Sequence, residues 1–438
     1  MQSSSEGAAR EASWQWDGEE DGNGEAPEDV IGGGGDGPRL SRRGMLIGAG
    51  VLAAGGAVWA LGRSDAGGAV APRPTRPQPT ALSGPTPAWT YRGPQAMTPE
   101  RLTDPPGRPV YLSKTGLQVL DPADGTAARL LVFDPPESRD WPSDLDMLGK
   151  VVVGPDRLFA TTYEGHLEAR HFTDPAADWS LPLPDELGGT QTRLTGYDHG
   201  TLYGYSWAGP RPPEAPSENR LFALRVADRS FLWSVPTERE EQPVTPATMI
   251  GGSLLACVRF LGNRAELVAR DAATGRQLWT APGDEGLRWC VTGSQDVYVP
   301  DGNGGVRALR PTGEPRWTYS PARGESWRAL PPVPDGPRVY VARDNGIVTG
   351  HDATTGAVEW TCRLPYLLDR RTHPLVADHT LFVPGTAVGG VSAIHTATGE
   401  LGWTFRDSGP GRDVWSLAAD GGHLYAGHDD ILYALPLT

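Results

Sequence analysis

The chain has 438 residues, enough for a sizeable core, with 54 Asp and Glu against 39 Lys and Arg for a formal net charge of −15. An acidic balance leaves few basic groups to release counterions from phosphates, which argues against nucleic acid or an anionic membrane surface as partner. Gly 57 and Pro 42 approach a low-complexity composition, yet Trp 15 and Tyr 12 are too many for a disordered chain, so the balance is that of a turn-rich all-β protein.

In chain order, residues 1–40 carry ten acidic residues against Arg10 and Arg39 and read as a disordered acidic tail. Arg42-Arg43 precedes an uncharged apolar run from Gly44 to Gly62, which Arg63 closes. Residues 41–63 resemble a twin-arginine export signal, and the run is long enough to serve as a membrane anchor. Seven of the nine residues Gly48–Gly56 are Gly or Ala, which lowers its hydrophobicity, and Pro72 follows the small-x-small stretch Ala69-Val70-Ala71. Cleavage and retention in the cytoplasmic membrane both remain open, and either delivers the remainder outside the cytoplasm. Residues 64–86 are rich in proline and read as a stiff linker.

From Arg108 onward the chain repeats. A short apolar strand recurs at Tyr111, Phe159, Tyr203, Leu255, Tyr298, Tyr340, Phe382 and Tyr425, at spacings of 42 to 52 residues. Polar turns such as Asp344-Asn345-Gly346 follow it and lead into a second strand, as a hairpin requires. The unit ends on a turn and a strand bearing Trp, clearest at Asp271–Trp279 and Asp352–Trp360. Trp179, Trp233, Trp279, Trp317, Trp360 and Trp403 fill that slot, while the first repeat has Arg129 there. An indole on an outer strand can lie over the neighbouring repeat, and Thr-Gly makes the tight return. The eighth copy ends at Leu432-Tyr433-Ala434-Leu435 without an outer strand, and Pro87-Ala88-Trp89-Thr90-Tyr91 is a Trp strand without a repeat. Joining the two closes a ring and protects the sheet edges. The expectation is an all-β, eight-bladed β-propeller of four-stranded blades over residues 87–438, closed by an N-terminal strand.

The Asp-x-x-Thr-Gly-x-x-x-Trp signature, whole at Asp271–Trp279 and Asp352–Trp360, resembles the repeats of the pyrroloquinoline-quinone-binding-like β-propeller superfamily. That superfamily includes quinoprotein dehydrogenases, the propeller lipoprotein of outer-membrane barrel assembly, and extracytoplasmic propellers of bacterial receptor-type Ser/Thr kinases. The order of acidic tail, membrane segment, Pro-rich spacer and propeller is similar to the last group without its kinase domain.

Catalytic sets are not legible. The adjacent cysteine pair characteristic of quinoprotein dehydrogenases does not occur; Cys257, Cys290 and Cys362 stand far apart, and Cys290 and Cys362 read as small buried hydrophobes. The nine histidines form no metal-ligand pair at tight helical spacing, and His428-Asp429-Asp430 reads as turn chemistry. Asp301-Gly302-Asn303 opens like a calcium loop, but Thr312 stands where the closing Glu belongs, so a hairpin is the better reading. No Gly-x-Ser-x-Gly elbow occurs.

What remains is Trp with charge on the approaches to the innermost strands. Trp141, Arg193, Arg288, Trp289, Trp327, Arg328, Arg371, His373 and Trp415 are expected to rim the central channel, where indole faces stack on rings and guanidiniums pair with carboxylates. The competing reading packs these Trp residues between blades. The expected function is a non-catalytic extracytoplasmic scaffold for a small ligand or a protein, without cofactor. The alternative is a quinone-dependent dehydrogenase, with pyrroloquinoline quinone and Ca²⁺.

Overall fold

The computed structural model describes residues 81–93, 110–113, 116–131, 151–162, 165–187, 192–206, 218–238, 241–243, 249–250, 254–261, 264–283, 291–292, 296–301, 303–321, 327–386, 388–409 and 414–437. All of these belong to one compact unit, Arg76–Thr438. The expected tail and signal segment fall outside the described residues. Among the described residues no helix is long and apolar enough to cross a membrane, and the one helical turn is the 3₁₀ turn Pro175–Ala177.

Alternating apolar residues with Gly- and Asp-bearing turns produce antiparallel sheets in which neighbouring strands follow each other in sequence. In a representative sheet, Thr192–Asp198, Thr201–Ser206, Arg220–Arg225 and Ser230–Pro236 pair in that order. The recurring aromatic, here Tyr203, lies on the second strand of its sheet, and the first strands of successive sheets adjoin one another around a common axis. Seven sheets contain four or five described strands, whereas Val110–Ser113, Gly116–Leu120 and Ala127–Leu131 form a sheet of three. The expectation of eight four-stranded blades is therefore corrected: the structure shows seven such blades. The stretch preceding Val110, residues 94–109, lies outside the described residues.

The N-terminal strand closes the ring. Trp89–Arg92 pairs antiparallel with Ile431–Pro436, Trp89 opposite Ala434 and Arg92 opposite Ile431. The stretch read as linker contributes one more strand, because Ala81–Ser83 pairs with the outer edge of Leu401–Asp407. Gly84 then turns the chain toward the closing strand at φ +84°, and a Cβ there would lie 2.7 Å from Phe405 Cα. The ordered body thus begins before residue 87, the boundary expected from the sequence.

A recurring contact joins sheet to sheet. Trp233 Nε1 donates to Ala272 O at 2.9 Å, Trp279 Nε1 to Pro311 O at 2.8 Å, Trp317 Nε1 to Ala353 O at 2.8 Å and Trp360 Nε1 to Thr396 O at 2.9 Å. Each acceptor lies in the turn before the outer strand of the next sheet. That turn carries a glycine at positive φ over whose Cα the indole lies; at Gly356 (φ +74°) a Cβ would come within 2.6 Å of Trp317. Trp89 makes the same contact at the closure, donating to Pro122 O at 2.8 Å above Gly125. Arg129, which replaces Trp in the first repeat, keeps the geometry with different chemistry: its guanidinium donates to His171 O and pairs with Asp178 at 2.8 Å in the next sheet. Arg229 (φ +59°) occupies the glycine position opposite Trp179, its guanidinium 5.2 Å from the ring.

Beside the closure, beyond Leu401–Asp407, a polar cluster is buried. Asp407 accepts from Tyr433 Oη at 2.8 Å and faces His428 Nδ1 at 3.4 Å, and His428 stacks on Trp415 with ring centroids 4.4 Å apart. His428 is the buried last residue of His423–His428, and Asp429-Asp430 make the hairpin turn expected from the sequence.

Candidate functional site at the connection end

Because neighbouring strands are antiparallel, the turns between second and third strands lie at the same end of the ring as the connections that lead from one sheet to the next. The Trp–turn contacts occupy the opposite end. Among the described rim residues, Trp327, Arg328, Arg371, His373 and Trp415 are on these sheet-to-sheet connections, and Arg193 is near the start of the inner strand Thr192–Asp198.

Asp344 organises the part of this end lying between the sheets of Tyr298, Tyr340 and Phe382. Its position in the Asp344-Asn345-Gly346 turn directs both its backbone and its carboxylate at the flanking connections. Arg328 N donates to Asp344 Oδ1 at 2.9 Å, and Asp344 N donates to Arg328 O at 3.0 Å. On the other side Leu368 N donates to Asp344 O at 2.9 Å and Arg370 Nε to Asp344 Oδ2 at 3.2 Å. One turn residue therefore fixes Trp327-Arg328 beside Leu367-Leu368-Asp369-Arg370. Gly304 (φ +80°) admits the Trp327 carbonyl, which a Cβ would meet at 2.0 Å, and Arg343 Nε caps Gly304 O at 2.8 Å.

The next connection is seated by Tyr366. Its ring lies where Cβ atoms on Gly385 and Gly389 would clash, its hydroxyl shares a 2.5 Å hydrogen bond with Ser392 Oγ, and Arg406 lies 5.9 Å from its centroid. This brings the loop of Val388 alongside Leu367.

The apolar side chains so placed are exposed: Trp327 42%, Leu367 59% and Val388 76%. The other large exposed apolar residues, Leu130, Leu232, Leu278, Val358 and Leu401, each sit on a different outer strand. The exposed Trp327, Leu367 and Val388 thus all stand on loops of the connection end, the loops of Trp327 and Leu367 also carrying Arg328, Arg370 and Arg371. Arg371 Nε contacts Asp369 at 3.1 Å, and its neighbour Asp369 is held below the usual carboxylate range: burial opposes ionisation, but hydrogen bonds from Arg371 outweigh it.

Of the expected rim residues, Trp327, Arg328, Arg371 and His373 fall on two adjacent connections and are exposed, whereas Arg193 is exposed on another sheet. Trp141, Arg288 and Trp289 lie outside the described residues. Trp415 is corrected: it is 1% exposed, packed edge-on to Phe405 and stacked on His428, and presents no face to a ligand. Sequence reasoning missed Leu367 and Val388, which stand in loops without periodicity, Leu367 within the short apolar run Leu364-Pro365-Tyr366-Leu367-Leu368. It also missed Asp344, whose only signal was its place at the head of a polar turn.

Among the described residues no three His, Cys, Asp or Glu side chains converge to hold a cation, and Cys257 and Cys362 are buried on separate sheets. Cys290 lies outside the described residues. Burial pushes the Cys257 thiol far up, which makes it a poor nucleophile. Asp301 accepts from Asn303 N at 3.0 Å and Gly305 N at 2.6 Å, the bonding of a hairpin turn.

Residues 302–437 match the family model described as outer membrane protein assembly factor BamB. No curated protein matches the sequence. Among solved structures, the computationally designed Ika8 protein is similar over 81% of this chain and 100% of its own, at 13% identity and a TM-score of 0.56. BamB from Moraxella catarrhalis is similar at 16% identity over 67% of this chain and 97% of its own, with a TM-score of 0.44. Quinohemoprotein alcohol dehydrogenase ADHIIG from Pseudomonas putida HK5 is similar at 12% identity over 80% of this chain and 76% of its own, with a TM-score of 0.49. At such identities the resemblance concerns the fold. The antiparallel sheets around one axis make this chain a β-propeller, and its last third is similar to the family model named for the assembly factor.

Proposed function

We propose that the chain is an extracytoplasmic, non-catalytic scaffold that binds a partner at the connection end of its propeller. The observation that carries this reading is the exposure of Trp327, Leu367 and Val388 on loops of one end, the first two on connections that also carry Arg328, Arg370 and Arg371 and are tied to Asp344. Apolar side chains grouped in this way are costly to leave in water, and they mark binding faces more often than structural ones. The family model on residues 302–437 is named for an assembly factor, which agrees with a protein-binding role.

The extracytoplasmic placement rests on Arg42-Arg43 before the Gly44–Gly62 run, cleaved or retained in the cytoplasmic membrane. A reporter that works only in the cytoplasm, fused after Thr438, should stay silent in the producing cell; activity would overturn the placement. Titration with pyrroloquinoline quinone and Ca²⁺ should give no new visible absorbance and no alcohol oxidation, and either signal would favour the dehydrogenase. For the binding role, a photo-crosslinking side chain at position 327 should capture a macromolecule in producing cells, whereas one at exposed Thr354, at the opposite end, should not. Crosslinks from position 354 alone, or from neither, would contradict the proposal.

A further inference from the structure

Resting on the scaffold reading, we infer that the Trp327–Leu367–Val388 band receives a short extended segment of a partner protein in which acidic residues alternate with aliphatic ones. Three observations identify this occupant. First, the apolar anchors comprise one indole and two branched aliphatic side chains. Leu367 and Val388 favour leucine- or valine-like groups, whereas a glycan site would need planar platforms with convergent polar groups. Second, the loops of Trp327 and Leu367 carry Arg328, Arg370 and Arg371. The Arg370 and Arg371 guanidiniums hold Asp344 and Asp369, whereas the exposed Arg328 side chain makes no ion pair among the described residues. A partner carboxylate can therefore meet Arg328 without displacing a native pair. Third, the connections of Trp327 and Leu367 are pinned by hydrogen bonds to Asp344, and the turn of Val388 packs on the Tyr366 ring, so a segment loses little affinity to loop ordering.

An extended chain places successive side chains on opposite sides, so a segment alternating acids with aliphatic residues can offer both kinds of group to loops that carry exposed apolar residues and arginines. The segment's aliphatic residues would cover Trp327 and Leu367, and its acids would reach Arg328 and Arg370.

The test is selection of displayed random dodecapeptides on the full chain, followed by binding measurements with the selected peptides synthesised and labelled. Measurements use wild type, Trp327→Ser, Leu367→Ser and Arg328→Glu. All three sites are exposed, and circular dichroism and thermal melting verify folding. The inference expects selected peptides rich in Asp or Glu interspersed with Leu, Ile or Val. Each apolar substitution should weaken them at least tenfold, Arg328→Glu should weaken them at least as much, and raised salt should weaken wild-type binding. Selected peptides whose affinity ignores these substitutions would overturn the inference while leaving a scaffold that binds elsewhere. Basic selected peptides, or an anionic glycan that binds the band where peptides do not, would overturn the inference alone. No selected peptide, together with no crosslink from position 327, would remove both the inference and the scaffold reading.

Discussion

The two ends of the propeller are built on opposite rules. At the turn end, one contact recurs around the ring: an indole donates to a turn carbonyl of the next sheet and lies over a glycine of that turn, as in Trp279 with Pro311 and Trp317 with Ala353. Where Trp is absent, Arg129 makes the equivalent reach to His171 O and Asp178. At the connection end the backbone contacts of the turn glycines recur, as in Leu183 N to Gly165 O and Leu364 N to Gly346 O, but each loop carries its own side chains, including the exposed Trp327, Leu367 and Val388. A repeating side-chain lock is what a ring needs to hold its sheets together, and loops of varied sequence are what a binding face needs. On the proposed reading stability and recognition separate along the propeller axis, and substitutions at the two ends should have different consequences.

The largest effect is expected at the closure. Deleting residues through Arg92 removes the outer strand opposite Ile431–Pro436 and the buried Trp89, at a cost of about 4 kcal/mol or more in chemical denaturation. Deletion through Gly84 removes only the short strand on Leu401–Asp407 and the 3.0 Å bond from Ser83 Oγ to Thr404 O, costing about 1 kcal/mol. Deletion through Thr80 leaves both strands and should cost nothing measurable. Equal stability of the first and third truncations would contradict ring closure.

Next comes Gly356→Ala. It forces a positive-φ alanine and a Cβ 2.6 Å from Trp317, a combined penalty of about 2–4 kcal/mol. Gly421→Ala has no atom within 4 Å of its new Cβ and should change stability by less than about 0.5 kcal/mol. A smaller loss, about 1–2 kcal/mol, is expected for Arg129→Met, which leaves Asp178 and the His171 carbonyl without their donor. If Arg129→Met is neutral in equilibrium unfolding, the guanidinium is not a substitute for the indole.

The mildest effects come from pH. Burial depresses His351 below the ordinary histidine value, helped by nearby Arg343 and opposed by its bond to Gly356 O. The unfolded chain then takes up the proton more readily, so this stabilisation is complete above about pH 6.5 and is lost as pH falls through the lower folded value. Replacing His351 with Gln should flatten stability in that window. For Asp407, burial opposes ionisation but is outweighed by hydrogen bonds from His428 and Tyr433, leaving its carboxyl below the usual range. Its contribution is present above about pH 4 and disappears only below that, so a second, more acidic loss should remain in the His351→Gln variant and vanish with Asp407→Asn.

The lock end was legible in the sequence because it repeats. Trp at a fixed distance after Asp, glycine in the turn, and the orphaned Trp89 strand are periodic signals, and packing answered each with the expected contact. The connection end was legible only in part. Trp327, Arg328, Arg371 and His373 stood out as aromatics and charges near inner strands, but Trp415 had the same local signature and is buried against His428. Nothing local distinguishes an indole that faces solvent from one that a distant histidine covers. The strand Ala81–Ser83 was hidden because three residues after a proline-rich stretch show no alternation, and its pairing depends on an edge more than three hundred residues away. The bond from His428 to Asp407 was hidden for the same reason, since Asp407 belongs to another sheet.

The separation of the two ends is tested most directly by comparing Trp317→Ala with the double variant Trp327→Ser, Leu367→Ser, using thermal unfolding and binding of a peptide selected on the wild type. The account predicts that Trp317→Ala lowers the melting temperature by several degrees and, when folded, binds with unchanged affinity. The double variant should melt within about a degree of wild type and lose at least tenfold in affinity. If the double variant unfolds earlier while Trp317→Ala loses binding, or if both variants lose both properties together, the division between a locking end and a recognition end is wrong.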